Sequence, residues 1–162
     1  KKRPVDGCLN GFSLSLRGRG GKCRVFYGYH TMRSKARECA FKVIYASLFR
    51  QDGEFNRSIY KTFGLDQEES AYADGLLDAV AAHRQELLQA LGGLSIGFSE
   101  QRLFPVDKSI LLMAMAELKY GDVPAAVCVD EAVGLAKAYS TEKSVGFVNG
   151  VLAAYVRQLD KG

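Results

Sequence analysis

The sequence predicts an all-α protein, a compact bundle of about six to seven helices. Two observations carry this prediction. Apolar residues recur at spacings of three and four through most of residues 33–159, which is the period of an amphipathic helix. These segments are separated by short links that contain glycine, proline or polar residues, and none shows the alternation expected of a strand.

The first predicted helix begins at Arg33 and has two contrasting faces. The inward face carries Ala36, Ala40, Val43, Ile44 and Ser47, and the opposite face carries Lys35, Glu38, Lys42, Tyr45 and Phe49. Aromatic rings interleaved with lysines are unusual on a face that should meet solvent. Either another element covers Tyr45 and Phe49, or they form a contact surface for RNA or a protein partner, and the pattern leaves both interpretations open.

The extents of the later helices are predicted from residues that commonly begin or end a helix. A short helix should end at Gly64, a long one should run from Asp66 to the pair Gly92–Gly93, and another should run from Pro105 to Tyr120. The helix after Pro124 is apolar around much of its circumference, so we expect it to be central.

The last helix repeats its apolar residues at Val148, Val151, Leu152 and Tyr155. Ser144 is a suitable N-cap for it. Gly150 lies in its interior, where glycine costs about 1 kcal/mol against alanine, so we expect a neighbouring helix to approach closely there. Phe147 lies off the apolar face and should point outward.

Residues 1–31 differ from the remainder, and we divide the chain into this extension and a helical domain of residues 32–162. The extension holds seven basic residues and one acidic residue, whereas residues 32–162 are slightly acidic. It is rich in glycine and lacks a helical period, with a short strand at Val25–Tyr27 at most. It is either an arm that contacts phosphates or an extension without function, with Met32 as the true start.

Composition and motifs argue against several classes of function. No apolar run approaches the length of a membrane span, and the 4 scattered cysteines do not form a disulfide or metal pattern, so we expect a cytoplasmic protein that binds no membrane and no metal. We find no nucleophile motif, no paired titratable groups and no glycine-rich cofactor motif. The sequence therefore predicts neither catalytic residues nor a cofactor, and favours a protein that is not an enzyme.

Two stretches carry a resemblance to a known family. The first is Arg33-Ser34-Lys35-Ala36-Arg37-Glu38-Cys39-Ala40, and the second runs from Val129 to Lys137 and continues into Phe147-Val148-Asn149-Gly150-Val151-Leu152. Over roughly residues 33–157 the chain resembles the bacterial transcription antitermination factors of the NusB family. The resemblance implies two three-helix sub-bundles, binding of the boxA element of single-stranded RNA, and partnership with NusE, a small-subunit ribosomal protein. It also implies indirect association with other Nus factors and RNA polymerase, in support of read-through transcription of ribosomal RNA operons.

The resemblance also implies site residues. It implies RNA contacts on Arg33, Lys35, Arg37, Tyr45 and Phe147, and an acidic residue near the partner or RNA surface at Asp107, which we assign as a partner contact. From the pattern of the first helix we add Lys42 as an RNA contact and Phe49 as a partner contact, and we add Lys143 as an RNA contact whose charge is shifted by three residues from the family position. The chain departs from the family pattern in three places. Ser34 interrupts a run that is often richer in arginine, Gly146 precedes Phe147 where lysine is common, and Lys143 stands where an acid is frequent.

Two other functions stay open at this point. The chain could be a protein-interaction module without specific RNA binding, and the same exposed face would also suit a homodimer. Alternatively, it could be the detached leading domain of an RNA cytosine methyltransferase, because related domains occur there, and a longer reading frame downstream of Gly162 would support this.

Overall fold

The protein is described by a computed structural model that covers the backbone of residues 24–95 and 103–161, with side chains from residue 33 onward in the same ranges. Six α-helices and no strand occur in these ranges, which confirms the predicted all-α class. The helices are α1 (Arg24–Ser47), α2 (Ile59–Phe63), α3 (Gln67–Leu94), α4 (Pro105–Tyr120), α5 (Ala125–Tyr139) and α6 (Glu142–Leu159).

Helix α4 is the centre of the bundle, and it packs against α1, α3, α5 and α6. Its residues 109–117 are all buried, as expected for a helix that has neighbours on every side. The expectation that α5 would be central was therefore wrong. The apolar circumference of α5 consists largely of alanine and valine, and only Cys128, Ala132, Leu135 and Ala136 of this helix are fully buried.

The packing divides the helices into two groups that share α4. On one side α1 and α3 pack on each other and on α4, with the short helix α2 against α1. On the other side α5 and α6 pack on each other and on α4. This arrangement agrees with two three-helix sub-bundles.

The helix ends have clear local causes. Asp66 and Glu69 form a reciprocal capping box at the start of α3, and Gly64 ends α2 with φ of 58°, a left-handed conformation that favours glycine. The cap of α6 is Thr141, whose hydroxyl accepts a hydrogen bond from the backbone N–H of Ser144. The prediction that Ser144 is the cap was therefore wrong by one turn, since Ser144 is a buried residue inside α6.

Two further expectations are corrected. Helix α1 begins at Arg24, so Val25–Tyr27 are helical, and the predicted boundary after residue 31 falls inside this helix. Residues 1–23 lie outside the described part of the chain, so the division into two regions stays a prediction. Gly150 is exposed, and a Cβ built there would meet no atom within 4 Å, so close helix packing is not the reason for this glycine.

Candidate RNA and partner interface

The outward side of α1 carries the predicted mixture of cations and aromatic rings. Five residues on it are partly or fully exposed: Lys35, Glu38, Lys42, Tyr45 and Phe49, which we call the α1 face. The five positions predicted to face inward are all buried. The 3.6-residue period therefore assigned both sides of this helix correctly.

A cluster in the middle of the α1 face joins three helices. The Lys42 ammonium lies 4.4 Å from the ring centroid of Phe63 in α2 and 4.7 Å from that of Tyr139 in α5. It also donates to Glu38 Oε1 at 2.8 Å, and the Tyr139 hydroxyl donates to the same oxygen. Lys42 is thus held as a cation between two rings, an arrangement that orders the surface.

The electrostatics of this cluster keep both charges in place at neutral pH. Partial burial would raise the pKa of Glu38, but the hydrogen bonds from Lys42 and Tyr139 outweigh it and lower that pKa below its ordinary value. Burial similarly opposes the charged form of Lys42, whereas Glu38 and Tyr139 raise its pKa above the ordinary value. The pair is therefore a fixed ion pair beside exposed rings.

An aromatic pair continues the α1 face toward its carboxyl end. The rings of Tyr45 and Phe49 meet edge to face with centroids 5.1 Å apart. Phe49 has 64% of its surface exposed, just beyond the last residue of α1. An exposed phenylalanine supported by a second ring is typical of an anchor for a partner or a base.

Two partly exposed cations lie at the amino-terminal end of the α1 face (Lys35) and just before it (Arg33). Lys35 donates to the carbonyl of Gly64 at 2.6 Å and lies 3.3 Å from Glu69, so it ties α1 to the turn between α2 and α3. Arg33 is less constrained. Its guanidinium lies 4.8 Å from the centroid of the Tyr72 ring and 3.8 Å from the exposed carboxylate of Asp122.

Arg37 does not belong to this surface, and its prediction as an RNA contact is corrected. Only 1% of the residue is exposed. Its Nε donates to both carboxylate oxygens of Glu117 at 2.9 Å, its Nη2 donates to Oε1 at 2.7 Å, and Nη1 lies 3.7 Å from Glu131. The Tyr72 hydroxyl completes the network by donating to Glu117. Burial opposes the charge of Arg37, but Glu117 outweighs it and raises the pKa above its ordinary value.

A second patch lies where the first turns of α4 and α6 meet. A cavity of about 610 Å³ opens there, lined by Leu103, Phe104, Asp107, Thr141, Glu142, Lys143, Ser144 and Phe147. Lys143 is exposed and Phe147 is half-buried at the cavity wall, so the outward direction predicted for Phe147 is only partly correct. Apart from the buried Arg37 and from Arg33, which precedes the α1 face, the predicted residues thus fall into two patches, the α1 face and this α4–α6 pocket.

Asp107 is placed differently from its prediction as a partner contact. It is 2% exposed, and its carboxylate accepts a hydrogen bond of 2.5 Å from the Ser140 hydroxyl. This bond holds the α5–α6 turn against α4 and leaves Asp107 little surface for contact with a protein partner. This turn also connects the two patches, because Tyr139 contacts the α1 face and Thr141, two residues later, lines the pocket.

Sequence reasoning missed three aromatic residues of these patches: Phe63, Tyr139 and Phe104. Tyr139 fits the helical period of α5, although 40% of it is exposed. Only the positions of two of these rings in the sequence could have indicated them. Phe104 directly precedes Pro105 at a helix start, and Tyr139 is the last residue of its helix.

Neither a metal site nor a membrane span occurs in the part of the chain that the structure describes. Among these residues there is no group of three or more histidine, cysteine or acidic side chains that could hold a metal ion. None of the helices in the same ranges is long and apolar enough to cross a bilayer.

Cations and aromatic rings on the outer faces of a helical bundle are features of modules that bind nucleic acids or proteins. Comparison with known proteins identifies the family. The NusB family model matches residues 34–157, and the chain belongs to the NusB family.

Individual relatives agree with this assignment. The transcription antitermination protein NusB of Pseudothermotoga lettingae is 40% identical over 128 residues, which cover 75% of this chain and 89% of that protein. The protein of the same name from Acidothermus cellulolyticus is 39% identical over 123 residues, covering 75% and 85%.

Solved structures have the same fold. A structure of T. maritima NusB aligns with a TM-score of 0.71 and 28% identity, over 78% of this chain and 91% of that one. A structure of antitermination factors NusB and NusE in complex with dsRNA aligns with a TM-score of 0.68 and 30% identity, over 79% of this chain and 98% of the matched one.

Proposed function

We propose that this chain is a transcription antitermination factor that binds boxA-type single-stranded RNA together with NusE and supports read-through transcription of ribosomal RNA operons. The observation that carries the proposal is the α1 face, with cations toward its amino end and aromatic rings toward its carboxyl end, on a NusB-family fold. In a related solved structure NusB and NusE are in complex with dsRNA, which supports both a protein and an RNA partner.

Within this proposal the residues have different tasks. Arg33 and Lys143 supply phosphate contacts. Lys143 is exposed, and Arg33 is half-buried, with a contact to the Tyr72 ring and a long ion pair of 3.8 Å to the exposed Asp122. Lys35, Tyr45 and Phe147 complete the RNA surface. Lys42 acts mainly by ordering the rings of Phe63 and Tyr139, since its own charge is paired with Glu38.

Phe49 is the anchor for the protein partner. Its ring is exposed and supported by Tyr45, and apolar anchors of this kind contribute a large part of the affinity at protein interfaces. The same observation favours a second candidate function, a protein-interaction module in which RNA binding is incidental. Other Nus factors and RNA polymerase would join through NusE and RNA, and a second copy of the chain would compete for the same face.

Fluorescence anisotropy separates the two candidates. A boxA-like RNA and a scrambled control are titrated with the full chain, with and without NusE, at two salt concentrations. The antitermination function predicts selective binding that strengthens with NusE and weakens steeply with salt, because each phosphate contact releases counterions. Equal binding of both RNAs would leave only the protein-interaction module.

Variants test the residue assignments in the same assay. Arg33→Ala and Lys143→Ala should each reduce the magnitude of the salt slope by roughly 0.7, the value for one phosphate contact on a single strand. The matched control is Arg157→Ala, which removes the same charge about 20 Å away from Lys143 along α6. An equal effect of the control would mean that net charge, and not this surface, governs binding.

A further inference from the structure

Tyr72 connects the partly exposed cation Arg33 to the buried core, and the proposed function gives it no role so far. It lies in α3 and is half-buried. The Arg33 guanidinium lies over its ring, 4.8 Å from the centroid, and the Arg37 guanidinium lies 5.4 Å from the same centroid. Arg33 and Arg37 are four residues apart, so they share one side of α1. One ring of α3 thus meets both a partly exposed and a buried arginine of α1.

The core fixes the position of this ring. The Tyr72 hydroxyl donates to Glu117 Oε1 and accepts a hydrogen bond from Arg37 Nη2 at 3.1 Å. Burial, together with the Glu117 carboxylate, raises the pKa of Tyr72 above its ordinary value, so the hydroxyl keeps its single proton at neutral pH and continues to donate it. Glu117 is itself 2% exposed and bound to Arg37. The polar end of Tyr72 is therefore attached to the buried ion pair, while its ring supports Arg33.

The contact with Tyr72 suits Arg33 for binding an anion. An arginine side chain has many rotamers, and ordering it on binding costs affinity. A contact with the face of a ring restricts those rotamers before the RNA arrives. It also uses none of the N–H donors of the guanidinium, so these stay available for phosphate oxygens. The ion pair of Arg33 with Asp122 is exposed and 3.8 Å long, so it is weak and can be exchanged for a phosphate.

We propose that Tyr72 is a positioning residue for RNA binding: its ring holds the Arg33 guanidinium in place for a phosphate of the RNA, without touching the RNA itself. The inference rests on the proposed RNA-binding function and adds a residue of α3, which neither the helical pattern nor the family resemblance indicated. It also gives the buried Arg37–Glu117 pair a second consequence, because this pair fixes the Tyr72 hydroxyl and, through the ring, the placement of Arg33.

Two substitutions separate the ring from the hydroxyl. Tyr72→Phe and Tyr72→Leu both remove the hydroxyl and its bonds to Glu117 and Arg37, but only Tyr72→Leu removes the ring. Affinity for a boxA-like RNA is measured by anisotropy with the full chain and NusE. Tyr72→Leu should bind about 2- to 5-fold more weakly than Tyr72→Phe, the range that corresponds to an exposed cation–π contact. A purely structural role of the buried hydroxyl predicts equal affinities of the two variants.

The Arg33→Ala background shows whether the ring acts through Arg33. In that background Tyr72→Phe and Tyr72→Leu should bind the RNA equally, because the cation that the ring positions is already missing. Circular dichroism and urea unfolding confirm that each variant is folded in the assay. NMR relaxation of the Arg33 Nε–H group in the RNA-free, unmodified chain needs no variant, and it should show a restricted side chain.

Other outcomes overturn the proposal. Equal affinities of Tyr72→Phe and Tyr72→Leu with Arg33 present would show that the ring has no part in binding. A difference between them that persists in the Arg33→Ala background would show that the ring does not act through Arg33. A freely mobile Arg33 side chain in the NMR measurement would exclude positioning even where a variant fails to fold. If the unmodified chain binds boxA-like RNA selectively in these cases, only this inference fails. If the unmodified chain shows no selective binding, the proposed function fails as well.

Discussion

Replacing Arg37 with methionine should destabilise the fold strongly. Arg37 is 1% exposed and makes three hydrogen-bond contacts with Glu117, so the variant leaves the Glu117 carboxylate buried without its cation. Breaking a buried ion pair from one side costs about 3–5 kcal/mol, out of a total stability of about 5–15 kcal/mol for a typical domain. For a chain of this size the loss corresponds to about 6–20 °C in Tm.

Urea unfolding followed by circular dichroism measures the change. The matched control is Arg33→Met, which removes the same type of side chain from the same helix at a site where 34% of it is exposed. The control should lose less than about 1 kcal/mol because its ion pair with Asp122 is exposed, and it should lower RNA affinity. The double variant Arg37→Met/Glu117→Leu should recover part of the stability, because no unpaired Glu117 charge remains.

The opposite pattern would refute the reasoning. If Arg37→Met lost less than about 1 kcal/mol of stability but much of the RNA affinity, Arg37 would reach the RNA as the sequence alone predicted. If the double variant were less stable than Arg37→Met, the Glu117 carboxylate would not be an uncompensated buried charge in the single variant. Either result would remove the basis for treating Arg37 as a core residue.

Three further predictions concern stability and reactivity. Gly150→Ala should raise the free energy of unfolding by about 0.5–1 kcal/mol in urea titrations, because a Cβ there meets nothing within 4 Å, and a loss would contradict this. Asp66→Ala should lower the free energy of unfolding by about 1 kcal/mol in the same assay through loss of the α3 capping box, and no change would mean that the box contributes nothing. Burial raises the pKa of Cys39 to about 11 and of Cys128 to about 12, so at pH 8 both thiols should react with a disulfide reagent far more slowly than in denaturant. Since thiolate is the reactive form, raising the pH toward 10 should accelerate the reaction of both thiols in the folded protein. The measurement uses a variant in which Cys8 and Cys23 are replaced by serine, so that only Cys39 and Cys128 report, and rapid reaction of this folded variant at pH 8 would refute the burial.

Helical period and boundary residues were sufficient to predict most of the fold. Gly64, Asp66 and Pro105 act through local backbone geometry, which does not depend on the remainder of the chain, and they lie at the predicted ends of α2, α3 and α4. The central position of α4 is a different kind of property. It depends on how many neighbours a helix acquires, and the apolar circumference of α5 gave the wrong expectation because small side chains can be apolar without being buried.

The candidate site was less predictable. The helical period shows on which side of a helix a residue lies, but it does not show which residue of another helix it contacts. Arg37 and Lys35 are two residues apart on α1, and both are basic. Arg37 is buried because Glu117 and Glu131 meet it from other helices, whereas Lys35 reaches the exposed turn at Gly64. An acid 80 residues away in sequence decides between the two environments. A local pattern contains no information about such a contact, so an arginine at the edge of a helical face is ambiguous until the tertiary fold is known.

The same buried contacts determine how the two patches could act together on one RNA. The Arg37–Glu117 pair fixes α1 to α4, and the Ser140–Asp107 hydrogen bond fixes the turn before α6 to α4. Helix α4 is therefore a common support for the α1 face and the α4–α6 pocket. Because the Arg37–Glu117 pair is buried and the Ser140–Asp107 bond is partly buried, the spacing between the patches is set by packed helices and not by flexible surface side chains. A single strand that contacts both patches would then meet a surface already arranged for it, which lowers the entropic cost of binding. Weakening either buried contact should consequently reduce RNA affinity without removing any atom that touches the RNA.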